Sequence, residues 1–184
     1  VGVITGAAIS GNSRVMANAK SPLTGAIGDA QAGGFWPAEL KFAGFDAIVI
    51  KGQSPKPVYL WLHDGQAELR DASHLWGKDT GDTEDMLKAE LKEPKLQVLQ
   101  IGPGGENLVK YACIINSKNR ANGRTGMGCV MGSKKLKAIA VRGTGKPGIA
   151  DPEALRVLVK EGVEWLKVDL GMQTQQKYGT ANTV

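Results

Sequence analysis

Hydrophobic residues along this chain of 184 residues fall into short runs, and Gly, Pro and Asp separate one run from the next. This punctuation is typical of strands joined by tight turns. Asp64 and Gly65 stand between two such runs and predict a hairpin, because Asp-Gly is a favoured two-residue turn. The runs predict strands at residues 1–4, 45–51, 58–62, 66–71, 96–101, 108–116 and 136–142.

Other stretches have the spacing of helices, namely residues 34–43, 82–91, 128–134 and 151–166. Gly44 is expected to end the first, since glycine is common just after a helix. Asp82 is expected to cap the free N–H groups at the start of the second. Asp151 and Pro152 predict the start of the last, in which apolar residues recur every three or four positions. The tail beyond residue 170 is predicted to be a linker.

The order of these elements predicts the fold class. Strands and helices do not alternate as in a doubly wound parallel sheet, so an α+β fold of mixed, largely antiparallel sheets with short helices fits better. One substantial domain is expected over residues 1–150, because a chain of this length can bury a sizeable core. Residues 151–184 are expected to form a helix and a linker that lead into further domains.

The chain also shows signs of an internal duplication. The segment Asp46-Ala-Ile-Val-Ile-Lys-Gly52 is matched by Lys137-Ala-Ile-Ala-Val-Arg-Gly143, and a Lys-Pro pair follows each of them. The spacing of about 90 residues is too long for a solenoid repeat. We therefore predict two related lobes, at about 1–95 and 96–150, around a pseudo-twofold axis. The alternative is chance similarity between two β-rich segments.

Charge and composition exclude several classes of partner. The net charge of +5 is spread along the chain, and the only tight cluster is Lys134, Lys135 and Lys137. Nucleic-acid-binding proteins usually carry a denser basic stripe with stacking aromatic residues, and aromatic residues make up only 5% of this chain. No run approaches the roughly 20 apolar residues of a membrane span. We therefore expect no nucleic acid as partner and no membrane span.

The two cysteines, Cys113 and Cys129, do not have the spacing of a zinc or iron–sulfur site. We expect them to be reduced core residues, which favours a cytoplasmic location. The chain begins at Val1 without an initiator Met. We expect it to be part of a longer protein.

Residues 119–143 combine Arg120 and Arg124 with several closely spaced glycines. Glycine lets a backbone approach a ligand closely, and the arginine fork matches phosphate oxygens. Gly33 and Gly34 occupy the equivalent region of the first half, and in both halves a short helix is predicted next, where free N–H groups favour bound phosphate. The pattern predicts two anion cradles that face one phosphate-bearing cofactor. The alternative is that the glycines only form tight turns.

Known motifs do not account for these glycines. Their spacing fits neither a dinucleotide-binding fingerprint nor a P-loop. No Ser/His/Asp or Cys/His nucleophile arrangement is evident. The residues therefore predict a cofactor-binding platform without its own proton-transfer machinery.

Several longer motifs carry a resemblance to a known family: Lys20-Ser-Pro-Leu-Thr-Gly25, Ala32-Gly-Gly-Phe35, Glu39-Leu-Lys-Phe-Ala-Gly-Phe-Asp-Ala-Ile-Val-Ile-Lys-Gly52, Arg70-Asp-Ala-Ser-His-Leu-Trp-Gly77, Ile101-Gly-Pro-Gly-Gly-Glu-Asn-Leu-Val109 and Gly132-Ser-Lys-Lys-Leu-Lys-Ala-Ile-Ala-Val141. Together they closely resemble the N-terminal domain of the aldehyde:ferredoxin oxidoreductase family. The resemblance runs across nearly the whole chain.

The resemblance implies a tungsten centre, sometimes molybdenum, held by two pterin dithiolene cofactors whose phosphates are bridged by magnesium. It implies that this domain is a base of two related lobes for the bis-pterin. The complete enzyme would oxidise an aldehyde to a carboxylate and pass electrons through a [4Fe–4S] cluster to ferredoxin or a partner subunit, with homo- or hetero-oligomers possible. The cluster's cysteines and the catalytic residues are expected in domains downstream of this chain.

Matched motif by motif, the resemblance also implies site residues. Arg14 and the backbone of Gly33 match contacts to one pterin. The loop that holds the second pterin and its phosphate matches Arg120, Ala121, Gly123 and Arg124.

The resemblance places the carbonyl of Ala121 at the magnesium ion, together with its counterpart in the first lobe. That counterpart is an asparagine in the best-known members, whereas this chain has Gln31. A backbone carbonyl would survive this change, but a side-chain contact would be displaced by one methylene.

Two other functions stay open. One keeps the cofactor and changes the reaction, as in the tungsten subunit of an aryl-CoA (benzoyl-CoA) reductase complex. The other is a non-catalytic module that binds phosphates or nucleic acid through its basic glycine loops.

Overall fold

The computed structural model describes residues 1–179 and 181. Its strands are β1 (Val15–Lys20), β2 (Ile27–Ala32), β3 (Val58–His63), β4 (Gln66–Asp71), β5 (Gln97–Gln100), β6 (Ile114–Asn116), β7 (Arg120–Asn122) and β8 (Leu136–Arg142). Its helices are α1 (Trp36–Phe42), α2 (Thr80–Leu91), α3 (Pro103–Glu106), α4 (Met127–Ser133), α5 (Pro152–Val168) and α6 (Leu170–Tyr178).

The described residues fall into two compact units. The first contains Val1–Ala7 and Asn12–Pro147, and the second contains Ala8–Gly11 and the described part of Gly148–Val184. The predicted boundary at residue 150 lies close to this division. The predicted lobe boundary near residue 95 lies inside the first unit.

Two sheets build the first unit. Six strands form one sheet in the order β4-β3-β8-β5-β6-β7, and β1 and β2 form a separate antiparallel hairpin. Only β3 and β8 pair in parallel, and every other pairing is antiparallel. The predicted α+β class, with largely antiparallel sheets and short helices, is confirmed.

The central strand β8 is buried on both faces, which explains its almost continuous apolar sequence. Ile139 and Val141 pack on one side in a cluster that includes Trp36 of α1. Ala138 and Ala140 pack on the other side with Leu87 of α2. The Trp36 indole N–H donates to the Ile139 carbonyl at 2.9 Å, so α1 is bonded directly to the central strand.

Several strand predictions are wrong. Residues 1–4 lie in irregular structure and turns, and residues 45–51 form no strand in the described structure. The run 108–116 shortens to β6, because Leu108 has a left-handed φ of 58° and turns precede the strand. Strands β1, β2 and β7 were not predicted, because Ala, Asn, Gly and Asp have weak strand propensity and tertiary pairing decides these segments.

The helix predictions fare better, with corrections at the ends. Helix α2 begins at Thr80 rather than Asp82, because the Asp79 side chain caps it by accepting from the Asp82 N–H at 2.8 Å. Helix α3 was not predicted. Residues 171–178 of the predicted linker lie in helix α6, which Asp169 caps, and residues 180 and 182–184 lie outside the described structure. Helices α1, α4 and α5 lie where they were predicted, within a few residues at their ends.

The order of elements repeats along the first unit. An antiparallel hairpin, a glycine-containing turn and a seven-residue helix occur as β1-β2-α1 and again as β6-β7-α4. The segment 46–52 then follows α1, as β8 follows α4. From the end of β2 onward the corresponding elements are about 90 residues apart, whereas β1 and β6 begin 99 residues apart because the β1–β2 turn is longer than the β6–β7 turn.

The second unit contains α5 and α6. Asp151 caps α5 by accepting from the Ala154 N–H at 2.9 Å, as predicted. No helix among the residues described has both the length and the apolar character needed to cross a membrane.

Candidate functional site

An open hollow of about 730 Å³ lies where the β1–β2 hairpin meets the loop after β7. It is lined by Asp29, Gln31, Ala121, Gly123 and Arg124. Four of these five residues are among the predicted site residues. One residue from each half of the repeat, Gln31 and Ala121, occupies the same position under the shift of about 90 residues.

The hairpin presents its polar residues to the hollow because strand side chains alternate between faces. In β2, Gly28, Ala30 and Ala32 are buried, whereas Asp29 and Gln31 are exposed. Gly28 has no room for a side chain, since a Cβ there would lie 2.6 Å from Met127 Cε. The close packing of the hairpin on α4 therefore fixes which face of β2 is turned outward.

Buried polar contacts join the hairpin to the loop that follows β7. The Asn122 side-chain amide donates to the Ala30 carbonyl at 2.8 Å and to the Val15 carbonyl at 3.3 Å. The Ser21 hydroxyl donates to the Thr125 carbonyl at 2.8 Å. These bonds hold the two halves of the repeat against each other beside the hollow.

The loop itself depends on glycine at Gly126. This residue has a φ of 73°, and a Cβ there would lie 1.9 Å from the Lys110 carbonyl oxygen. Glycine is therefore required on both conformational and steric grounds. It allows the chain to turn sharply from the loop into α4, which keeps Gly123 and Arg124 exposed.

Gly34 is the tightest point of the first-half turn. Its φ is 113°, and a Cβ there would lie 2.1 Å from Asn116 Oδ1. The Asn116 amide donates to the Gly33 carbonyl at 3.1 Å, and the Ser13 hydroxyl donates to the Gly34 carbonyl at 2.6 Å. The second half of the repeat thus holds the first-half turn in place.

The predicted arginines are all exposed. Within the described part of the chain, Arg14, Arg120 and Arg124 make no side-chain hydrogen bond or ion pair, whereas Arg142 is paired with Glu39. An exposed guanidinium without an internal partner is available to an anion. Only Arg124 lines the hollow; Arg14 precedes β1 and Arg120 begins β7. Gly33, like these two, lies outside the lining.

The prediction from sequence missed Asp29. The two-residue alternation of β2 would have placed it on the same face as Gln31, but β2 was not predicted to be a strand. The lining combines a guanidinium for phosphate oxygens with carboxylate, amide and backbone oxygens for a hard cation. Among the described residues, His, Cys, Asp and Glu form no group of three or more that could hold a metal ion by themselves.

A second hollow, of about 400 Å³, is apolar and is lined by residues such as Val15, Trp36, Ile48 and Met131. It contains none of the predicted site residues. Its lining is mostly apolar, and its one cationic side chain, Lys134, already donates a hydrogen bond to the Gly52 carbonyl at 3.0 Å. The polar hollow around Arg124 is therefore the candidate site.

Comparison with known proteins shows the family to which the chain belongs. The family model for the N-terminal domain of aldehyde ferredoxin oxidoreductase matches residues 1–143. The chain belongs to the aldehyde ferredoxin oxidoreductase family.

Relatives within this family are similar over almost the whole chain. The tungsten-containing aldehyde ferredoxin oxidoreductase of Thermococcus kodakarensis is 50% identical over 181 residues, which is 98% of this chain and 30% of that protein. The enzyme of the same name from Pyrococcus furiosus is 48% identical over the same shares. The chain thus spans about 30% of the length of these relatives.

Two more distant similarities show how the family varies. A WOR-like subunit of an aliphatic sulfonate oxidoreductase from Pyrococcus furiosus is 38% identical over 157 residues, covering 77% of this chain and 24% of that protein. Among solved structures, the active site complex BamBC of benzoyl coenzyme A reductase, with 1,5-dienoyl-CoA bound, matches with a TM-score of 0.86 and 42% identity. The match covers 89% of this chain and 25% of that one.

Proposed function

We propose that this chain is the cofactor-binding platform of a tungsten-dependent aldehyde oxidoreductase. In the complete enzyme an aldehyde and water would yield the carboxylic acid, two protons and two electrons. The electrons would leave through a [4Fe–4S] cluster to ferredoxin or to a partner subunit. The relatives named as tungsten-containing aldehyde ferredoxin oxidoreductases support tungsten over molybdenum and an aldehyde as substrate.

The observation that carries the proposal is the hollow shared by the two halves of the repeat. A ligand with two similar phosphate-bearing halves suits a site to which Gln31 and Ala121 contribute from equivalent positions. Arg124 would bind phosphate through charge-assisted hydrogen bonds, which are roughly twice as strong as neutral ones. Gly123 would let the backbone approach the same group closely.

Residues of this chain also fit the bridging magnesium ion. Magnesium prefers oxygen ligands and is commonly held by few protein groups together with substrate phosphates. The backbone carbonyls of Gln31 and Ala121 are the donors that we assign to it. Arg14, Gly33 and Arg120 would contact the pterins outside the hollow.

The cofactor, when bound, supplies the two-electron redox chemistry, and the protein supplies binding and orientation. Substrate-contacting and proton-handling groups are proposed to come from other parts of the complete enzyme.

Both cysteines of this chain are free, as expected in the reducing cytoplasm, where we place the enzyme.

Replacing Arg124 by alanine in the full-length enzyme tests this function. Loss of hydrogen bonds to a charged group costs about 1.5–3 kcal/mol, so cofactor affinity should fall roughly 10- to 100-fold. Tungsten and pterin would be measured per mole of purified protein by elemental analysis and by fluorescence of the oxidised pterin. Arg156→Ala is the matched control, since Arg156 lies on α5 and pairs only with Glu153 among the described residues.

Full tungsten and pterin content in the Arg124→Ala variant would contradict the assignment of the site. A wild-type enzyme that contains neither tungsten nor molybdenum would contradict the function itself. Binding of oligonucleotides that weakens steeply with salt, in a metal-free protein, would favour the non-catalytic module.

The benzoyl-CoA reductase complex supports a second candidate, because its fold match is close and its sequence is 42% identical. In that case the same platform would serve reduction of an aromatic thioester. Assays of the full-length protein with a panel of aldehydes and with benzoyl-CoA separate the two reactions. We also propose a multi-subunit assembly on the strength of this neighbour, which is a complex.

A further inference from the structure

Asp29 is the one acidic residue among the five that line the hollow. It lies on the exposed face of β2, two residues before Gln31. Within the residues described, its carboxylate makes neither a hydrogen bond nor an ion pair. Its backbone carbonyl accepts a hydrogen bond from the Thr125 hydroxyl at 3.4 Å, so the residue is tied to the loop that carries Arg124.

A carboxylate at this place needs a physical explanation. Among the described residues, Asp29 makes no direct ion pair with Arg124, although both line the hollow. Towards a phosphate group the charge of Asp29 is repulsive, and this repulsion grows as water is excluded from the site. A divalent cation between them attracts both the Asp29 carboxylate and the phosphates, and these attractions offset the repulsion.

The lining provides the right donors for such a cation. Asp29 and Gln31 share the exposed face of β2, and Ala121 of β7 lines the same hollow. Carboxylate, amide and carbonyl oxygens are the ligands that magnesium prefers, and magnesium sites in phosphate-binding enzymes commonly use one or two carboxylates with phosphates and water.

The repeat shows that this charge belongs to one half only. Under the shift that superposes Gln31 on Ala121, the position of Asp29 corresponds to Asn119, which is neutral. Asn119 lies in the turn before β7 and does not line the hollow, so the acidic side chain at the site comes from the first half of the repeat.

We propose that Asp29 is a side-chain ligand of the divalent cation that bridges the cofactor phosphates. This proposal rests on the proposed function and adds to it a charged ligand from this chain. Asp29 strengthens binding of the cation. The bound cation in turn attracts the phosphates and offsets their repulsion by the Asp29 carboxylate.

The test uses the full-length enzyme with its cofactor in place. Wild type, Asp29→Asn and Asp29→Glu are dialysed against chelator-buffered free Mg²⁺, and magnesium and tungsten are measured per mole of protein. We expect Asp29→Asn to raise the free Mg²⁺ needed for half-occupancy about 10- to 100-fold, as for other altered metal sites. Asp29→Glu keeps the charge and should recover part of this affinity. Asp85→Asn is the control, because it removes an exposed carboxylate that pairs with Lys118 on the surface.

The titrations of the assembled enzyme can overturn the proposal in two ways. One is a magnesium titration of Asp29→Asn that superposes on that of the wild type. The other is tighter phosphate-cofactor retention in Asp29→Asn at all Mg²⁺ concentrations, which would mean that the carboxylate only repels. If the Asp29→Asn enzyme is obtained without cofactor, cofactor incorporation is repeated with added Mg²⁺. Recovery of cofactor content supports the proposal, and failure to recover it contradicts the proposal. Wild-type enzyme without tungsten would instead contradict the proposed function, independently of Asp29.

Discussion

Lys137 of β8 and Glu106 of α3 form a buried ion pair in the centre of the first unit, with side chains 0% and 4% exposed. The Lys137 ammonium also donates to the Lys78 carbonyl at 2.8 Å, and the Glu106 carboxylate accepts from the Gly77 N–H at 2.7 Å. A buried pair of this kind often adds little net stability, because both charges lose their hydration. Its structural effect is to connect the central strand, α3 and the turn before α2.

Removing one partner of this pair should be costly. In Glu106→Gln the hydrogen bond from Gly77 can be retained, but the Lys137 ammonium is left buried without a counter-charge. We expect a loss of about 3–5 kcal/mol in the free energy of unfolding, measured by urea denaturation. The double variant Glu106→Gln with Lys137→Met should regain much of this loss. Equal stability of wild type and Glu106→Gln would show that the pair is not buried as described.

At the scale of elements, helices α3 and α4 pack backbone against backbone. A Cβ on Gly132 would lie 1.9 Å from the Gly105 carbonyl oxygen, and one on Gly105 would lie 2.9 Å from the Gly128 carbonyl oxygen. Glycine is needed here for close approach rather than for a turn. This contact fixes the position of α4 and, with it, the loop that carries Arg124.

Gly132→Ala should therefore destabilise the protein by about 1–3 kcal/mol or more, since the added methyl group must push the two helices apart. Gly104→Ala is a matched control on α3, because its nearest neighbour would be the Ala112 Cβ at 4.0 Å. The control should change the unfolding free energy by less than about 1 kcal/mol. Equal effects of the two substitutions in thermal or urea unfolding would contradict the packing argument.

At the scale of the whole first unit, the hollow exists only because the β1–β2 hairpin is held against the six-stranded sheet. Asn122 is buried and donates to both strands of the hairpin, and Asn116 donates to the turn that follows it. The site is thus formed between the two halves of the repeat and is present in neither half alone. Its shape depends on the angle at which the halves meet.

The variant Asn122→Ala should show whether the angle between the halves affects cofactor binding beyond any effect on the stability of the protein. Two buried carbonyl groups would lose their donor, at a cost of about 1–3 kcal/mol in unfolding free energy. We expect the variant also to lose tungsten and pterin, because Gln31 and Ala121 would no longer face each other correctly. Leu87→Ala, on the opposite side of the sheet, should cost about 2–5 kcal/mol and leave the cofactor content of the folded protein unchanged. Similar cofactor loss in both variants would mean that Asn122 acts through stability alone.

Local signals in the sequence predicted the parts of the fold that local physics controls. Asp64 and Gly65 predicted the β3–β4 hairpin, and Asp151 with Pro152 predicted the start of α5. The glycines with Arg120 and Arg124 predict an anion site, and the repeated segment predicts a second cradle that faces it. Both stay predictions, and Gly33 of the second cradle lies outside the hollow that Arg124 lines. For the hairpin and for α5, the deciding contacts lie within a few residues of one another. The two cradles were predicted from a pattern that recurs along the sequence.

Tertiary structure decided the rest. The sequences of β1 and β2 have little strand propensity and become strands because they pair with each other and pack on α4. Asp29 becomes a site residue only because β2 forms and turns it outward. Asn122 connects the two halves only because its side-chain amide donates to carbonyl groups 92 and 107 residues away. The sequence by itself determined which residue types could form the predicted anion site and that a strand segment is repeated, because residue identity and spacing carry both. Which residues meet in the hollow was decided by long-range pairing, because no local signal encodes a contact between distant segments.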